Sequence, residues 1–407
     1  MRICVLTHTF PRFVGDTISS IFMAELAESL VDSGNDVWVL TPFTPLFRKT
    51  KNSYKVLTYK YIYPESLHKL GYSETLSNDM SLPFLMWVLS PFMYILGFFA
   101  LLKLVKKERI EIINAHWILP NGFIACAVSL FTGIPVVSTL PGSDVYMAQK
   151  NILFNVLARF AAWKSKWITS NSGQLISDLQ KTTRIDLRGK SSIIVYGIGS
   201  DKFKPDKKAR KKTRRLMDFS STDTVILGVG RLVAKKGFKY LIEASKSVIK
   251  KNRNVYFVLI GDGDQRQYLE DLTESLSVSN HFRFLGNISY TQINNYYNMA
   301  DIFILPSVRD EKGNLDDQSV AVMDAMVCGK PVITSDFPGY RKVINNGKTG
   351  ILVCEKDVNG IFKALLKLLK EKKLRIEMGN NARKAVTAEF SWKAIAREYT
   401  NLFKKLA

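Results

Sequence analysis

In "LDDQSVAVMDAMVCGKPVIT", from Leu315 to Thr334, two carboxylates, Asp316 and Asp324, bracket an apolar run that should be buried. Burying an ionised carboxylate is costly unless hydrogen-bond donors meet it. Ser319 is a suitable N-cap for a helix that buries Val322, Met323 and Met326 and ends at Gly329. Asp316 and Asp324 are eight positions apart, roughly 80° of helical rotation, so they share one face poorly and Asp316 belongs to the preceding loop. The amides of Gln318, Ser319 and Val320 then face outward at the helix start, and Asp324 points back towards it. Such amides bind anions, and carboxylates accept from hydroxyls. A diphosphate flanked by two sets of hydroxyls, a sugar nucleotide, would use all of them. Helix capping alone explains Asp316 but leaves Asp324 buried at a cost.

A second cluster follows the apolar run "VILGVG". In "GRLVAKKG", Gly230 and Gly237 bound a turn carrying Arg231, Lys235 and Lys236, which suits close approach of cations and backbone to a phosphate. The alternative is a set of surface charges before a helix. "LIGDGDQ" holds Gly261 and Gly263 but lacks the third glycine and helix opening of a dinucleotide fingerprint, so it reads as a turn. His116 closes "INAHW" and could contact an acceptor or a transferred sugar, or be a structural imidazole. Asp144 in "PGSDVY" is either a helix cap or an acceptor ligand.

Elements that could position these groups alternate along the chain. "RICVLTHTF", "DVWVLTPF", "IEIINAHW" and "PVVSTL" read as strands, with "SSIFMAELAESLVDSG" and "NGFIACAVSLFTG" as helices between them. A polar stretch near 200–222 interrupts the pattern. It restarts with "TVILGVGRL", "GFKYLIEASKSVIKK", "VYFVLIGDG", "FRFLGNI", "ADIFILPS", "SVAVMDAMVCG", "PVITSD" and "TGILV", and "KALLKLLKEKK" and "SWKAIAREYTNLFKKL" close the chain. The length and this restart predict two α/β doubly wound domains facing across a cleft and joined near residue 200. In such sheets ligands sit beyond the carboxyl ends of the strands, where the loops above lie.

One segment departs from this rhythm. "MSLPFLMWVLSPFMYILGFFALL", Met80 to Leu102, carries no charge over a bilayer's span and is followed by Lys103, Lys106 and Lys107. Its position between strands of one domain argues against spanning, and Pro91 should interrupt it. A monotopic membrane surface is the preferred expectation, ahead of core burial.

With 46% hydrophobic residues the chain can bury large cores. Cys4, Cys126, Cys328 and Cys354 lack the spacing of a zinc site or disulfide framework and read as reduced thiols in a cytosol. "MRICVLTHTFP" is too short an apolar run for a signal peptide. With 58 basic against 36 acidic residues, a formal charge of +22 favours an anionic partner. The run "KFKPDKKARKKTRR", Lys202 to Arg215, reads as a solvated linker or an anionic-lipid contact. A nucleic-acid-binding protein is the rival class, but no aromatic stacking motif or reader module accompanies the cations.

Taken in order, "VGRLVAKKGFKYLIEA", "VLIGDGDQ", "FRFLGNIS", "ADIFILPS", "VMDAMVCGKPVITSDFPG" and "NNGKTGILV" resemble the retaining GT-B glycosyltransferases of the "glycosyl transferases group 1" class, over nearly the whole length. The resemblance implies two Rossmann-like domains: an acceptor-binding domain over 1–200 with a membrane-associating segment at 80–105, and a nucleotide-sugar-binding domain over 201–385. The last helix, 386–407, would return to the first domain. It implies that Arg231 and Lys236 hold the donor diphosphate beside Gly230, that Gly286 and Asn287 lie near the base, that Asp316 contacts the transferred sugar and that Asp324 binds the ribose diol. "THTFPRFVGDTISSIFMAEL" resembles the family's glycine loop, with Gly15 and Asp16 beside the donor phosphate and acceptor. The family usually has Glu where Asp316 and Asp324 stand, a histidine at Pro141 and Glu at Lys342.

The expected activity is transfer of a glycosyl unit from a nucleotide sugar to an acceptor hydroxyl with retention, the acceptor being a lipid-linked saccharide or glycolipid for cell-surface polysaccharide. The expected place is the cytoplasmic side of an anionic membrane. No cofactor or metal is expected, because Arg231, Lys236 and helix-start amides could neutralise the departing diphosphate. A GT-B-like epimerase acting on the nucleotide sugar alone, and an inactive homologue, are the further alternatives.

Overall fold

A computed structural model describes residues 1–13, 16, 20–48, 51–71, 84–199, 203–289, 291–311, 313, 315, 316 and 319–407. Gly15 and Gln318 from the expected site, and residues 80–83 of the apolar segment, lie outside the described residues. The chain divides into two compact units, Met1–Gly197 with Trp392–Ala407, and Ile198–Ser391.

The first unit is built on seven parallel strands, β1 (Arg2–Leu6), β2 (Asp36–Pro42), β3 (Lys55–Tyr59), β4 (Ile112–His116), β5 (Val136–Leu140), β6 (Trp167–Ser170) and β7 (Ser191–Ile193), in the order β3-β2-β1-β4-β5-β6-β7. Ile3 pairs with Val37 on one side and Ile112 on the other, so strand order reverses at β1. The crevice of a doubly wound sheet opens at such a reversal, beside the carboxyl ends of β1 and β4. β4 and β5 are buried along their whole length, as strands covered by helices on both faces must be. The helix Trp392–Leu406 packs on the helix Ile21–Asp32, its Trp392 indole donating to Glu25 at 2.7 Å and its Thr400 accepting from Asn35 at 3.0 Å.

The second unit has six parallel strands, β8 (Thr224–Val229), β9 (Val255–Ile260), β10 (Phe282–Phe284), β11 (Ile302–Leu305), β12 (Val332–Ser335) and β13 (Gly350–Val353), ordered β10-β9-β8-β11-β12-β13. Here the order reverses at β8. Val225, Leu227, Phe257, Leu259, Phe303 and Ile333 are fully buried in one core between the sheet and its helices.

Three expectations change. The helix Phe84–Glu108 runs through Pro91. Proline removes one amide from a helix at a cost of about 3 kcal/mol. Leu89, Met93, Leu101 and Val105, all buried on one side of this helix, each return roughly 1.5–3 kcal/mol, which outweighs that loss. The basic run is not a linker throughout, because Asp206 caps a helix, Lys207–Leu216, that docks through two arginines. Arg210 donates to the Met299 and Ala300 carbonyls at 2.8 and 2.9 Å, and Arg210 and Arg214 share the Asp301 carboxylate at 2.8 and 3.1 Å. Finally, the helix Lys372–Phe390 stands between the two helices expected at the chain end. Its Gly379 hides it from a pattern search, yet a Cβ there would lie 2.1 Å from the Gly329 carbonyl oxygen, so a close crossing requires glycine.

Candidate functional site

In the second unit the loops beyond β8, β9 and β10 are stitched together at the carboxyl edge of the sheet. Gly230 donates to the Ile260 carbonyl at 2.9 Å, Leu232 to Asp262 at 3.0 Å, and Gly261 to Gly286 at 2.8 Å. Gly261, at φ +129°, sits so close that a Cβ would be 2.0 Å from the Gly230 carbonyl oxygen. "LIGDGDQ" is therefore the middle layer of the site, and a helix, Arg266–Ser275, does open after it.

Lys236 ends a single 3-10 turn, Ala234–Lys236, and doubles back along the chain. Its stem passes Gly230, where a Cβ would meet Lys236 Cε at 3.2 Å. The residue is 9% exposed, and its ammonium lies 2.5 Å from Asp316 Oδ2 and 3.4 Å from Ser319 Oγ. A buried ammonium needs such a partner, since desolvation otherwise costs several kcal/mol. Asp316 lies in the loop before the helix Val320–Val327, as the helical-face geometry requires. Ser319 holds the N-cap position, but its hydroxyl makes no capping bond and faces Lys236 instead. Beneath them is fully buried Tyr340, its hydroxyl 3.2 Å from Ser307 Oγ; burial and then the nearby Asp316 carboxylate push that hydroxyl well above its ordinary pKa. Tyr340 was not singled out from sequence.

These contacts bring Gly230, Lys236, Asp316, Ser319 and the exposed Val320 to one helix start, where the macrodipole favours an anion. Asp324 is buried one turn further on. Arg231 and Asn287 are exposed on the joined loops, and Gly286, at φ +65°, faces the Arg266 guanidinium. Among the described residues no three His, Cys, Asp or Glu side chains are grouped as metal ligands.

In the first unit the expected residues lie at the carboxyl edge of β1, β4 and β5. Asp16 and Arg12 form a buried two-pronged ion pair, Nε to Oδ2 at 2.8 Å and Nη2 to Oδ1 at 3.2 Å, and the Arg12 amide also donates to Oδ2 at 3.0 Å. Asp16 thus pins the loop after β1 from within. His116 is fully buried; its Nε2 bonds Asn114 Oδ1 at 2.9 Å, and Asn114 donates to Thr139 Oγ1 at 3.0 Å. Burial lowers its pKa to about 3, so the imidazole is neutral and Nε2 carries the proton. His116 Nδ1 has no hydrogen-bond partner among the described residues. Asp144 opens the helix Ser143–Lys150, where one carboxylate oxygen accepts from the Ile118 amide and the other has no partner among the described residues. Burial raises its pKa to about 6. It holds the turn after Trp117, a residue at φ +71° that swings the chain away from β4.

Two doubly wound parallel sheets, one carrying a buried lysine against a half-buried aspartate at a helix start, are the architecture of the GT-B glycosyltransferases. Residues 209–385 match the glycosyl transferases group 1 family and residues 13–172 the glycosyl transferase 4-like family, so both units carry glycosyltransferase domains and the chain is a glycosyltransferase. It is 25% identical to an uncharacterized glycosyltransferase of Methanocaldococcus jannaschii, over 99% of this chain and 98% of that one. It is 26% identical to the GDP-mannose-dependent alpha-(1-6)-phosphatidylinositol monomannoside mannosyltransferase of Mycobacterium tuberculosis, over 74% and 78%. The fold matches sucrose-phosphate synthase from Thermosynechococcus elongatus with a TM-score of 0.74 and 19% identity, over 99% and 98%.

Proposed function

We propose that this enzyme moves a glycosyl unit, with retention, from a nucleotide sugar to a hydroxyl of a lipid-borne saccharide or glycolipid, without a metal, at the inner face of the cell membrane. The observation that carries the donor assignment is the Lys236–Asp316 pair at 2.5 Å beside the start of the helix Val320–Val327. Lys236, with Arg231 and the amides of Ser319 and Val320, holds the diphosphate. Asp316 takes hydroxyls of the transferred sugar, Asp324 the ribose diol, and Gly286 and Asn287 flank the base. His116 and Asp144 serve the acceptor or the transferred sugar, and Asp16 orders the loop after β1.

In the reaction the bond from the anomeric carbon to the phosphate oxygen breaks, and the acceptor oxygen bonds the same face of that carbon. The acceptor proton passes to the departing phosphate oxygen, so no separate base is needed. The M. tuberculosis relative, named for a phosphatidylinositol mannoside substrate, supports a lipid-borne acceptor.

The test screens nucleotide sugars by thermal shift, since a ligand of the native state raises stability by mass action. The donor so found is then incubated with lipid-linked saccharides and the product anomer read by NMR. A donor-stabilised protein that forms an inverted product would overturn the retaining assignment, and one that converts the donor without acceptor would make it an epimerase.

A further inference from the structure

The helix Phe84–Glu108 has two apolar faces and only one of them is covered. Leu89, Met93, Leu101, Leu104 and Val105 are buried in the first unit, and Gly97 permits a close crossing, its Cβ position 3.1 Å from Ile124 Cδ1. Val88, Phe92, Ile95, Leu96 and Phe99 are exposed along the opposite stripe, at the i, i+4, i+7, i+8, i+11 spacing of one helix face. Lys103 and Lys106 continue that stripe and are exposed.

Two neighbouring helices extend the surface. Phe131, 73% exposed at the end of the helix Phe123–Thr132, packs against Phe98 at 5.7 Å. On the helix Ile152–Lys164, Ile152 is 81% and Trp163 60% exposed, with Val156 between them. Trp87 stacks on Phe154 at 5.0 Å, and Phe123 touches both Tyr94 and Phe160, at 5.6 and 5.3 Å, so the three helices form one continuous apolar face. Lys150, Arg159 and Lys166 are exposed beside it. Between Phe84 and Lys107, Phe123 and Thr132, and Ile152 and Lys164 there is no Asp or Glu.

We infer that this three-helix face, bearing Phe92, Phe99, Phe131 and Trp163 with their flanking lysines, lies on an anionic lipid bilayer with its helices in the interface rather than across it. The charge pattern selects that occupant. An apolar centre whose exposed charges on these helices are Lys103, Lys106, Lys107 and Arg159, with Glu108 at the far end of the longest one, is complementary to anionic headgroups over acyl chains. A second copy meeting this patch about a twofold axis would set cations against cations. Spanning would require stripping Leu89, Met93 and Leu101 from the core. The inference rests on the proposed lipid-borne acceptor by assigning the surface that reaches it.

The test is co-sedimentation of the full chain with phosphatidylcholine vesicles, with and without phosphatidylglycerol. Binding is expected with phosphatidylglycerol and should fall about 10-fold or more in Phe92→Ser/Phe99→Ser/Phe131→Ser and in Lys103→Glu/Lys106→Glu/Lys107→Glu. It should be unchanged in Lys207→Glu/Lys208→Glu/Lys211→Glu, on a different basic helix. Brominated lipid should quench native fluorescence, and Trp163→Phe should remove most of that quenching. The face is refuted if native protein does not bind, if both the Phe and 103–107 variants bind like native, or if only the 207–211 variant loses binding. A dimer dissolved by the Phe variant with vesicle binding intact would make the face a subunit contact. Nucleotide-sugar thermal shift should persist in the Phe variant, which reports its folding. Vesicle binding without any donor shift in the native protein would sink the transfer reading and leave the membrane face standing.

Discussion

Lys236 and Asp316 are 2.5 Å apart, so the cation proposed for the donor diphosphate already has an anionic partner. An arriving diphosphate must share that ammonium with the carboxylate. Lys236→Ala removes a charge-assisted contact worth about 1.5–3 kcal/mol and leaves Asp316 facing the phosphates, so affinity for the nucleoside diphosphate should fall roughly 10- to 150-fold. Asp316→Asn should act in the opposite sense on the free diphosphate, tightening it several-fold, while transfer of the sugar drops. Titration calorimetry with the nucleoside diphosphate separates the two. Native affinity in Lys236→Ala would remove the diphosphate assignment.

The stitched loops predict an unequal pair of glycine substitutions. Gly261→Ala must place a Cβ 2.0 Å from the Gly230 carbonyl oxygen, which cannot be met without parting the loops beyond β8 and β9. Gly347, at φ +81°, has nothing within 4 Å of its Cβ position. Gly347→Ala should cost only the left-handed backbone penalty, about 1–2 kcal/mol, against 4 kcal/mol or more (a rough figure) for Gly261→Ala. Urea unfolding of both variants checks the contrast, and equal losses would mean that the loops are not tightly apposed.

Buried His116 sets a pH dependence whose sign follows from its lowered pKa of about 3. Above pH 6.5 the imidazole is neutral whether the chain is folded or not, and it contributes no slope. As pH falls below that, the unfolded chain takes up a proton that the folded one refuses, so stability is lost. By pH 5 the loss is about 2 kcal/mol. His8, lowered to about 4 by burial, acts the same way, whereas Asp144, raised to about 6, gains its proton first in the folded state and opposes them as pH falls. Comparing urea midpoints at pH 7 and 5, native protein should lose about 2 kcal/mol more than His116→Gln. Identical losses would show that this imidazole is not held neutral.

Residue type and local spacing made part of this site readable in the sequence. Asp316 and Ser319 share a helix start because the loop acid, the N-cap and the apolar run are neighbours in the chain, whereas Lys236, 80 positions from Asp316, is brought there by the fold. The Arg12–Asp16 pair was hidden because a loop's shape, not a period, brings those groups together. The role of "LIGDGDQ" was hidden because it depends on Gly230 and Gly286, distant in sequence. The helix through Pro91 was misread because local propensity says nothing of the core that Leu101 and Val105 enter. Nor does local pattern reveal the exposure of Phe131 and Trp163, which is settled by how their helices pack.

Asp324 offers the sharpest test of which end of the donor lies where. It is buried in the helix Val320–Val327, and its carboxylate reaches one methylene less far than a glutamate would. If its carboxylate accepts from a ribose diol, Asp324→Asn should weaken a ribonucleoside diphosphate about 10- to 150-fold, the 1.5–3 kcal/mol range of hydrogen bonds to a charged group. The same substitution should leave the 2′,3′-dideoxy analogue, which binds native protein weakly, nearly unchanged. Inorganic pyrophosphate should also be unaffected, because it carries no ribose. The three ligands form a double-mutant-type cycle in which only the ribose term couples to Asp324. Calorimetry on both proteins reads it directly, and a uniform loss across all three ligands would make Asp324 a support for the helix start rather than a ribose ligand.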